Sequence, residues 1–467
     1  MTGRALPIWL AALAGATLVL LAPALWNGFP FMFYDTGAFI DLAIQGGFSS
    51  ERSAFYASFL AAFRPSVSLW PAMMAQVLIT VCVMAGFARI LLPGLSPARF
   101  FAIVVMLSLA TGLPWYAAEV LPDILAPLMV LCLYLLGFHG AALNLPRKVA
   151  LIGVVTLGAT SHASHLGLAA GLVIVTTLMQ IVSRRMVWCA VVPRWRLPAL
   201  AFTLSLAALV TSNFARTGDV FVSRAGPAFV VGRLVQDGIV HRLLDDTCPG
   251  SGYRLCAYKD SLPHDADDYL WGWEPFWKMG GFEGTAEESK HIIIDSLKRY
   301  PLLNVKMAIL NTAEQLITFE TGDGIEPLND VPVPAMERGM PGQIKSYRAS
   351  RQQTDQIAFG WINSVQVPLG GLSIAALAAI LARAVWRSDW GDRAFLPAFL
   401  LFALLGNAFI CGVLSNPQDR YQSRLMWAAS FAVLLLVMRR GALLPALAKI
   451  RTIRGRMIAF AGIRAAA

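Results

Sequence analysis

The chain has 467 residues, of which 57% are hydrophobic and only 14% are charged, and its mean hydropathy is +0.60. Soluble globular proteins carry roughly 45–50% apolar and about 25% charged residues. This composition excludes a soluble enzyme, a disordered protein, a coiled coil and a disulfide scaffold, and it indicates a polytopic membrane protein. The net charge of +10 would suit nucleic-acid binding, but in membrane proteins basic residues concentrate in cytoplasmic loops.

Runs of about 20 mostly apolar residues predict membrane-spanning helices. We therefore predict an all-α polytopic membrane protein with about ten transmembrane helices, of which the fifth is the shortest. An outward-facing soluble segment is expected between spans seven and eight. The predicted spans cover residues 8–26, 69–91, 100–118, 122–138, 148–161, 165–183, 197–213, 358–382, 395–414 and 425–438.

The spans divide the chain into four predicted parts: a membrane module of about seven spans (1–213), a polar segment (214–357), a membrane module of about three spans (358–438) and a basic tail (439–467). Ten spans place both termini on one side. Counting every charge gives that side 19 basic and 2 acidic residues, and the other side 19 basic and 26 acidic residues. Since basic residues favour cytoplasmic loops, we expect cytoplasmic termini, a location in the cell inner (plasma) membrane and no nucleic-acid partner.

The first span has a second interpretation. Arg4, the apolar run and Ala22-Pro23-Ala24 are typical of a secretory signal peptide with a small-residue cleavage site. The run of about 18 residues exceeds the usual apolar region of about 7–15 residues, which favours a retained anchor. Cleavage would leave the orientation of the other nine spans unchanged.

The polar segment contains two of the six cysteines, Cys248 and Cys256, separated by a stretch with proline and glycine. An oxidising compartment on the predicted outer side would allow a disulfide, which we favour over two free thiols. His241 and His264 are nearby, but a zinc site usually needs four ligands and this spacing matches no familiar pattern.

The polar segment should also contain two helices, over residues 285–298 and 302–319. The first has acidic residues in its initial turn, as helix N-termini favour. Residues 322–342 are rich in glycine and proline, which predicts a loop.

Charged side chains gather in the predicted outer loops, whereas no predicted span carries one near its middle. Ion-coupled transporters commonly keep ionisable residues within the membrane, so this pattern favours other classes. Carboxylates, imidazoles and guanidinium groups in one cavity suit group transfer from a lipid phosphate, in which a base activates the acceptor and cations hold the leaving phosphate. The candidate residues are Asp35, Asp41, Arg52, Glu119, Asp123, His162, His165, Arg420, Tyr421 and Arg424.

The acidic candidates also have structural interpretations. Asp35 could be a solvated loop residue, and Asp41 lies six residues further on, on a different helical face. Glu119 and Asp123 are spaced to share a helical face, but Pro122 makes a continuous helix between them doubtful. Either acid could simply cap or solvate the end of a span.

The basic candidates have structural interpretations as well. His162 and His165 are three residues apart, and a hydrogen-bonded pair fits this spacing better than a metal site. Arg420 and Arg424 are one helical turn apart and could extend to lipid headgroups instead of binding a substrate.

This arrangement resembles the GT-C superfamily of membrane glycosyltransferases, which includes protein O-mannosyltransferases and the aminoarabinose transferases of lipid A. The resemblance lies in residues 34–43 after the first span, in the acids Glu119 and Asp123 of the next outer loop, and in the short Asp419–Arg424 pattern. Relatives often carry an acidic pair or a longer aspartate motif in the first loop, where this chain has Asp35 alone. Many also carry their large outer segment at the C-terminus.

The resemblance implies an integral membrane enzyme that transfers a sugar from a polyprenyl-phosphate-linked donor to a cell-envelope glycan, lipid or protein acceptor. It implies that Asp35 activates the acceptor, assisted by Glu119 or Asp123. Metal use varies across the superfamily, so we infer neither a metal nor another cofactor. The expected substrate-binding residues are Asp41, Arg52, His162, His165, Arg420, Tyr421 and Arg424.

Two other functions stay open at this point. A transporter or flippase for a lipid-linked or uncharged solute would have inverted repeats and broken helices, and neither is evident in the sequence. A non-enzymatic envelope assembly protein would bind partners through the polar segment, where Trp271, Trp273 and Trp277 lie close together.

Overall fold

The computed structural model describes residues 5–185 and 191–439, and within them the protein is helical, without strands. An isolated bridge pairs Phe31 with Glu119. Apart from Arg439, the predicted basic tail lies outside the described residues.

Ten helices precede the polar segment. Local capping explains several of their ends: the side chains of Ser96 and Asn144 each accept a hydrogen bond from a backbone N–H of the first turn, and a proline follows each of them at or near the first helical position. The helices are α1 (Ala5–Asn27), α2 (Thr36–Gln45), α3 (Ala54–Ala61), α4 (Trp70–Leu91), α5 (Pro97–Ala110), α6 (Leu113–Ala117), α7 (Leu125–Phe138), α8 (Leu145–Ser161), α9 (Ala163–Ser183) and α10 (Arg196–Thr217).

Residues 225–307 of the polar segment have a hydrophobic core of their own, whereas the buried residues of its later part join the core between the membrane helices. The helices of the polar segment are α11 (Gly226–Gln236), α12 (Ile239–Thr247), α13 (Glu274–Lys278), α14 (Gly281–Gly284), α15 (Ala286–Arg299), α16 (Pro301–Ile317), α17 (Pro332–Gly339) and α18 (Ile344–Arg348). Three long helices follow: α19 (Gly360–Trp386), α20 (Asp392–Leu414) and α21 (Asp419–Arg439).

Among the described residues, seven helices are long and apolar enough to cross a membrane: α1, α4, α9, α10, α19, α20 and α21. They make the chain a multi-pass membrane protein whose partner is the lipid bilayer. The other three predicted spans correspond to shorter helices: α5 has 14 residues, α7 has 14, and α8 has 17. The ten-span topology therefore stays a prediction.

Two predicted elements differ from the structure. The span predicted over 100–118 is two helices, because α5 ends at Ala110, Thr111 is extended, and Pro114 cannot continue a helix that would need its N–H. The loop predicted over 322–342 contains α17, which begins with Pro332, a residue suited to a first helical turn. The two helices predicted over 285–298 and 302–319 are α15 and α16.

Helix α7 is the centre of the membrane bundle. All of its residues are buried, and α4, α8, α9, α10 and α20 pack around it. By contrast, α1 and α19 are mostly exposed along their apolar lengths. The start of α7 is therefore held in place from all sides, and it provides a fixed position for any side chain that precedes it.

The polar segment is joined to α20 by a buried polar contact. Arg233 of α11 forms an ion pair with Asp237 one turn later, and its Nε donates to the carbonyl of Val413 at 2.9 Å. The other oxygen of Asp237 accepts from Asn311 at 3.0 Å. At the far side of the segment, Cys248 and Cys256 form a disulfide.

We expect Arg233→Ala to lower the free energy of unfolding by about 3–5 kcal/mol, because it leaves the buried Asp237 carboxylate without its cation. The matched control is Lys278→Ala, which breaks an exposed pair with Glu274 at the same i,i+4 spacing and should cost about 0–1 kcal/mol. Denaturation of the detergent-solubilised protein measures both. Equal losses in the two variants would show that the Arg233 contact does not hold the polar segment on α20.

Candidate functional site

Five of the predicted site residues come together at one end of the membrane helices. Asp35 directly precedes α2, and Arg52 lies two residues before α3. Asp123 lies in a single 3-10 turn that leads into α7, while Arg420 and Arg424 lie in the first two turns of α21. Positions far apart in the chain therefore contribute side chains to one site.

The innermost contact is a buried ion pair between Asp123 and Arg424. Nη1 of Arg424 donates to Oδ1 of Asp123 at 2.7 Å, and the two side chains are 0% and 2% exposed. The second terminal nitrogen of Arg424 donates to Ser164 Oγ at 3.2 Å and to Asn407 Oδ1 at 3.4 Å. Burial without such partners would be costly for either charge, so this pair fixes α7, α9, α20 and α21 relative to one another.

Arg420 links this pair to Asp35. Its Nε lies 3.6 Å from Oδ2 of Asp123, and its Nη1 lies 3.6 Å from Oδ2 of Asp35. Arg52 reaches Asp35 from the other side, with Nη2 at 2.5 Å from Oδ1. The guanidinium of Arg420 also stacks over the ring of Phe33 at 3.9 Å.

These contacts form an alternating series, Arg52–Asp35–Arg420–Asp123–Arg424, which we call the charge row. It holds three cations and two carboxylates, so one positive charge is not balanced within it. Asp323 lies at its edge, where its Oδ2 accepts the backbone N–H of Arg420 at 3.0 Å. Asp35 and Arg52 are the most accessible members, with 13% and 14% of their side chains exposed.

Several buried polar atoms in and beside the charge row lack a hydrogen-bond partner among the described residues. In folded proteins most buried polar groups are paired, and an unpaired donor or acceptor carries the full cost of its lost hydration. Ordered water or a polar ligand would pair these atoms. They are Nε of Arg52, Oε1 of Glu119, Oδ2 of Asp123, Nε2 of His165 and Nε of Arg424.

Glu119 is buried beside the charge row. Its backbone carbonyl accepts from Gln76 at 2.8 Å, and its neighbours pair with the backbone of Phe31. Burial, together with the nearby carboxylate of Asp123, holds the pKa of Glu119 well above its ordinary value. The raised pKa favours the protonated form of Glu119, which can donate a hydrogen bond, whereas Asp123 is paired with arginines.

The two histidines lie at the start of α9. His162 caps the helix, because its Nδ1 accepts the backbone N–H of Ser164 at 3.2 Å, and the two imidazole rings are 5.2 Å apart. Nδ1 of His165 is 3.0 Å from the carbonyl of Gly158, which leaves Nε2 as the free acceptor. Burial and the nearby Arg424 hold the pKa of His162 well below its ordinary value. The histidines thus adjoin the charge row through Ser164.

Of the remaining two predicted residues, Tyr421 contacts the charge row and Asp41 has partners elsewhere. Tyr421 flanks the charge row, with its ring 5.0 Å from the guanidinium of Arg420 and 5.3 Å from that of Arg424. Asp41 has other partners: it forms an ion pair with Arg338 of α17 and accepts from Gln45.

Sequence reasoning missed three contributors to the site. Asn407 binds Arg424 from the middle of α20, and a single amide inside a long apolar helix was a signal that could have been used. Ser164 lies between the two histidines. The ring of Trp271, in the polar segment, lies 5.7 Å from the guanidinium of Arg52. No local sequence pattern connects Trp271 with the loop that carries Arg52.

The loop between α16 and α17 covers one side of the charge row. Glu326 accepts a hydrogen bond from Tyr34, next to Asp35. Gly324 adopts φ +72°, and a Cβ atom there would overlap the ring of Phe33. The loop is therefore fitted closely against the residues that carry Asp35 and support Arg420.

A second buried carboxylate provides a contrast. Asp392 accepts from Tyr134 at 2.7 Å, from His139 at 2.8 Å and from Arg439 at 2.5 Å. Both of its oxygens have partners, which is typical of a structural contact.

An open cleft of about 600 Å³ lies elsewhere, in the polar segment beside the disulfide. Its lining includes Asp246, Tyr253, His291, Asp295 and Lys298, and no residue of the charge row. Two of its acids already accept from tyrosine hydroxyls. We therefore place the candidate site at the charge row, where buried polar atoms are unpaired.

Among the described residues, no group of three or more His, Cys, Asp and Glu side chains is arranged to hold a metal ion. No family model, curated protein or solved structure matches this chain. A proposal about its function therefore rests on the geometry of the charge row.

The raised pKa of Glu119 predicts a pH effect on stability. In the unfolded chain glutamate ionises above about pH 4.3, whereas the raised pKa lets folded Glu119 keep its proton to a higher pH. Above that pH the folded state binds more protons, so the wild type loses stability as pH rises towards the folded pKa. Glu119→Gln removes this loss, which amounts to at most about 1.4 kcal/mol per pH unit.

Apparent melting temperatures between about pH 5 and about pH 8 measure this effect in detergent. The wild type should lose stability across the range relative to Glu119→Gln. Glu274→Gln, at a carboxylate with 75% of its side chain exposed, is the control and should follow the wild type. Parallel profiles for wild type and Glu119→Gln would mean that Glu119 is ionised in the folded protein.

Proposed function

We propose that this protein is an integral membrane glycosyltransferase of GT-C type, which transfers a sugar from a polyprenyl-phosphate-linked donor to a cell-envelope acceptor. The supporting observation is the charge row, in which the most accessible carboxylate, Asp35, lies between the guanidinium groups of Arg52 and Arg420. The donor's phosphate would accept from the guanidinium of Arg420 and from the unpaired Nε of Arg52.

The carboxylate of Asp35 and the guanidinium of Arg420 would have separate roles in the reaction. A hydroxyl of the acceptor attacks the anomeric carbon of the sugar and forms the new C–O bond. The bond from that carbon to the phosphate oxygen breaks, and the electron pair stays on the phosphate. Asp35 takes the hydroxyl proton, and Arg420 holds the leaving phosphate through hydrogen bonds that strengthen as its charge develops.

The other site residues would support the roles of Asp35 and Arg420. Asp123 is only 2% exposed, against 13% for Asp35, so it would orient Arg420 and Arg424 and would not reach the acceptor as the base. Neutral Glu119 can donate a hydrogen bond to the sugar or the phosphate. The free Nε2 of His165 can accept one from a sugar hydroxyl.

We also propose that the site and the polar segment face outwards from the cell inner membrane, with both termini in the cytoplasm. The charge distribution along the sequence supports this orientation. A reporter that is active only in the cytoplasm, fused at Gly284, should be inactive, and one fused after Pro146 should be active. The reverse pattern would contradict both the orientation and the access of the site to envelope acceptors.

Arg420→Lys tests the phosphate-binding role. Guanidinium grips phosphate through paired hydrogen bonds in a fixed fork, which lysine cannot reproduce. We expect undecaprenyl phosphate to bind the variant roughly tenfold or more weakly than the wild type, since one such charged hydrogen bond contributes about 1.5–3 kcal/mol. The control is Arg348→Lys, in an exposed pair with Glu337. Equal affinities for all three proteins would remove the phosphate-binding role of Arg420.

Asp35→Asn tests the base. The variant keeps the shape of the side chain and removes a negative charge next to the bound phosphate, so carrier binding should persist or tighten. Sugar transfer from a panel of undecaprenyl-phosphate-linked sugars should fall by about 10²–10⁴-fold. Asp245→Asn, at an exposed carboxylate paired with Lys259, is the control. Unchanged transfer by Asp35→Asn would refute the assignment, and carrier binding without any transfer by the wild type would favour a flippase.

A further inference from the structure

Helix α16 of the polar segment buries polar side chains and exposes apolar ones, a polarity reversed from that of a helix that faces water. It buries Asn304, Asn311 and Gln315, each no more than 6% exposed. On another face it exposes a row of large apolar side chains spaced three, four and eight residues apart. They are Leu302 (84% exposed), Val305 (57%), Ile309 (64%) and Ile317 (73%), and we call them the apolar stripe.

The inward polar face is held by specific contacts, so the helix cannot simply rotate. The side chain of Gln315 donates to the carbonyl of Gln418 at 2.8 Å and accepts the backbone N–H of the same residue at 3.0 Å. Asn311 donates to Asp237, and Asn304 donates to the carbonyl of Ser296 at 3.1 Å. Turning the apolar stripe inwards would break all of these hydrogen bonds.

Helix α16 packs against the apolar span α20. The carbonyl of Asn311 lies so close to Gly412 that a Cβ atom there would be 2.5 Å from the oxygen. Leu405 and Phe409 precede Gly412 by seven and three residues, so they lie on the same face of α20. Both are about half exposed, at 48% and 49%. The face of α20 that α16 covers at Gly412 therefore continues as bare apolar surface.

We propose that the apolar stripe of α16 contacts membrane lipid, which makes α16 an interfacial helix of the polar segment. A helix that faces water exposes its polar side chains and buries its apolar ones, whereas a helix next to hydrocarbon exposes its apolar side chains. The lipid that covers Leu405 and Phe409 on the span adjoins α16 directly. Lys306 is exposed on the same side of α16 as the stripe, and its long side chain can extend along apolar surface to place the ammonium among lipid headgroups.

This placement has a consequence for the site. The loop after α16 carries Asp323, which accepts from the backbone of Arg420. Lipid contact by α16 would therefore hold that loop and the charge row at the membrane surface, where a polyprenyl-linked donor resides. The lipid contact itself does not depend on the proposed transfer reaction.

Nitroxide labelling in proteoliposomes tests the proposal. The four cysteines outside the disulfide are replaced by alanine, and a label is attached at Ile309→Cys or Val305→Cys. The control label is at Lys290→Cys, on the exposed polar face of α15. Collisions with oxygen, which concentrates in lipid, are compared with collisions with a water-soluble nickel chelate.

The ratio of oxygen to nickel collisions should be severalfold higher at positions 305 and 309 than at position 290. A ratio at 305 and 309 equal to that at 290 would place the stripe in water and overturn the proposal. Labels shielded from both reagents would also overturn it, because they would place the stripe against a protein partner or a second copy of the chain. Two stripe positions are used so that one misfolded variant leaves the other to decide.

Discussion

The ion pair between Asp123 and Arg424 is the contact on which the rest of the site depends. Both side chains are buried among apolar helices, where an unpaired charge costs several kcal/mol. The turn before α7 and the start of α21 must therefore lie within hydrogen-bond distance. Ser164 and Asn407 complete the partners of Arg424, so α9 and α20 are drawn to the same point. Since α7 is buried throughout, this point cannot shift without disturbing the whole membrane bundle.

From this pair the charges extend outwards in order of increasing exposure, through Arg420 to Asp35 and Arg52. The inner end of the charge row, Asp123 and Arg424, is rigid and orients Arg420. The outer end, Asp35 and Arg52, is accessible and can contact a substrate. Asp392, with partners on both oxygens, shows how this chain satisfies a carboxylate that has only a structural role. The unpaired nitrogens of Arg52 and Arg424 have no such partners, which supports an anionic ligand at the charge row.

Part of this organisation could be predicted from the sequence. Apolar runs indicate the helices, and alternation across the membrane brings Asp35, Asp123 and Arg424 to one end of the bundle. Their pairing could not be predicted, because it depends on how helices far apart in the chain pack together. The reversed polarity of α16 could not be predicted for the same reason. The spacing of its apolar residues is visible in the sequence, but which face is buried depends on contacts with α20. The break after Ala110 depends on Pro114, a local signal outweighed by the surrounding apolar residues.

The central claim is that the charge row binds a lipid-linked phosphate, and a comparison of two carriers tests it most directly. Undecaprenyl phosphate and undecaprenol have the same isoprenoid chain and differ in the phosphate alone. Native mass spectrometry of the wild-type protein released from detergent would show which carrier stays bound. The account predicts that the phosphate is retained and that the alcohol is lost under the same conditions. Equal retention of both would mean that the protein recognises the chain and not the phosphate, and would contradict the account.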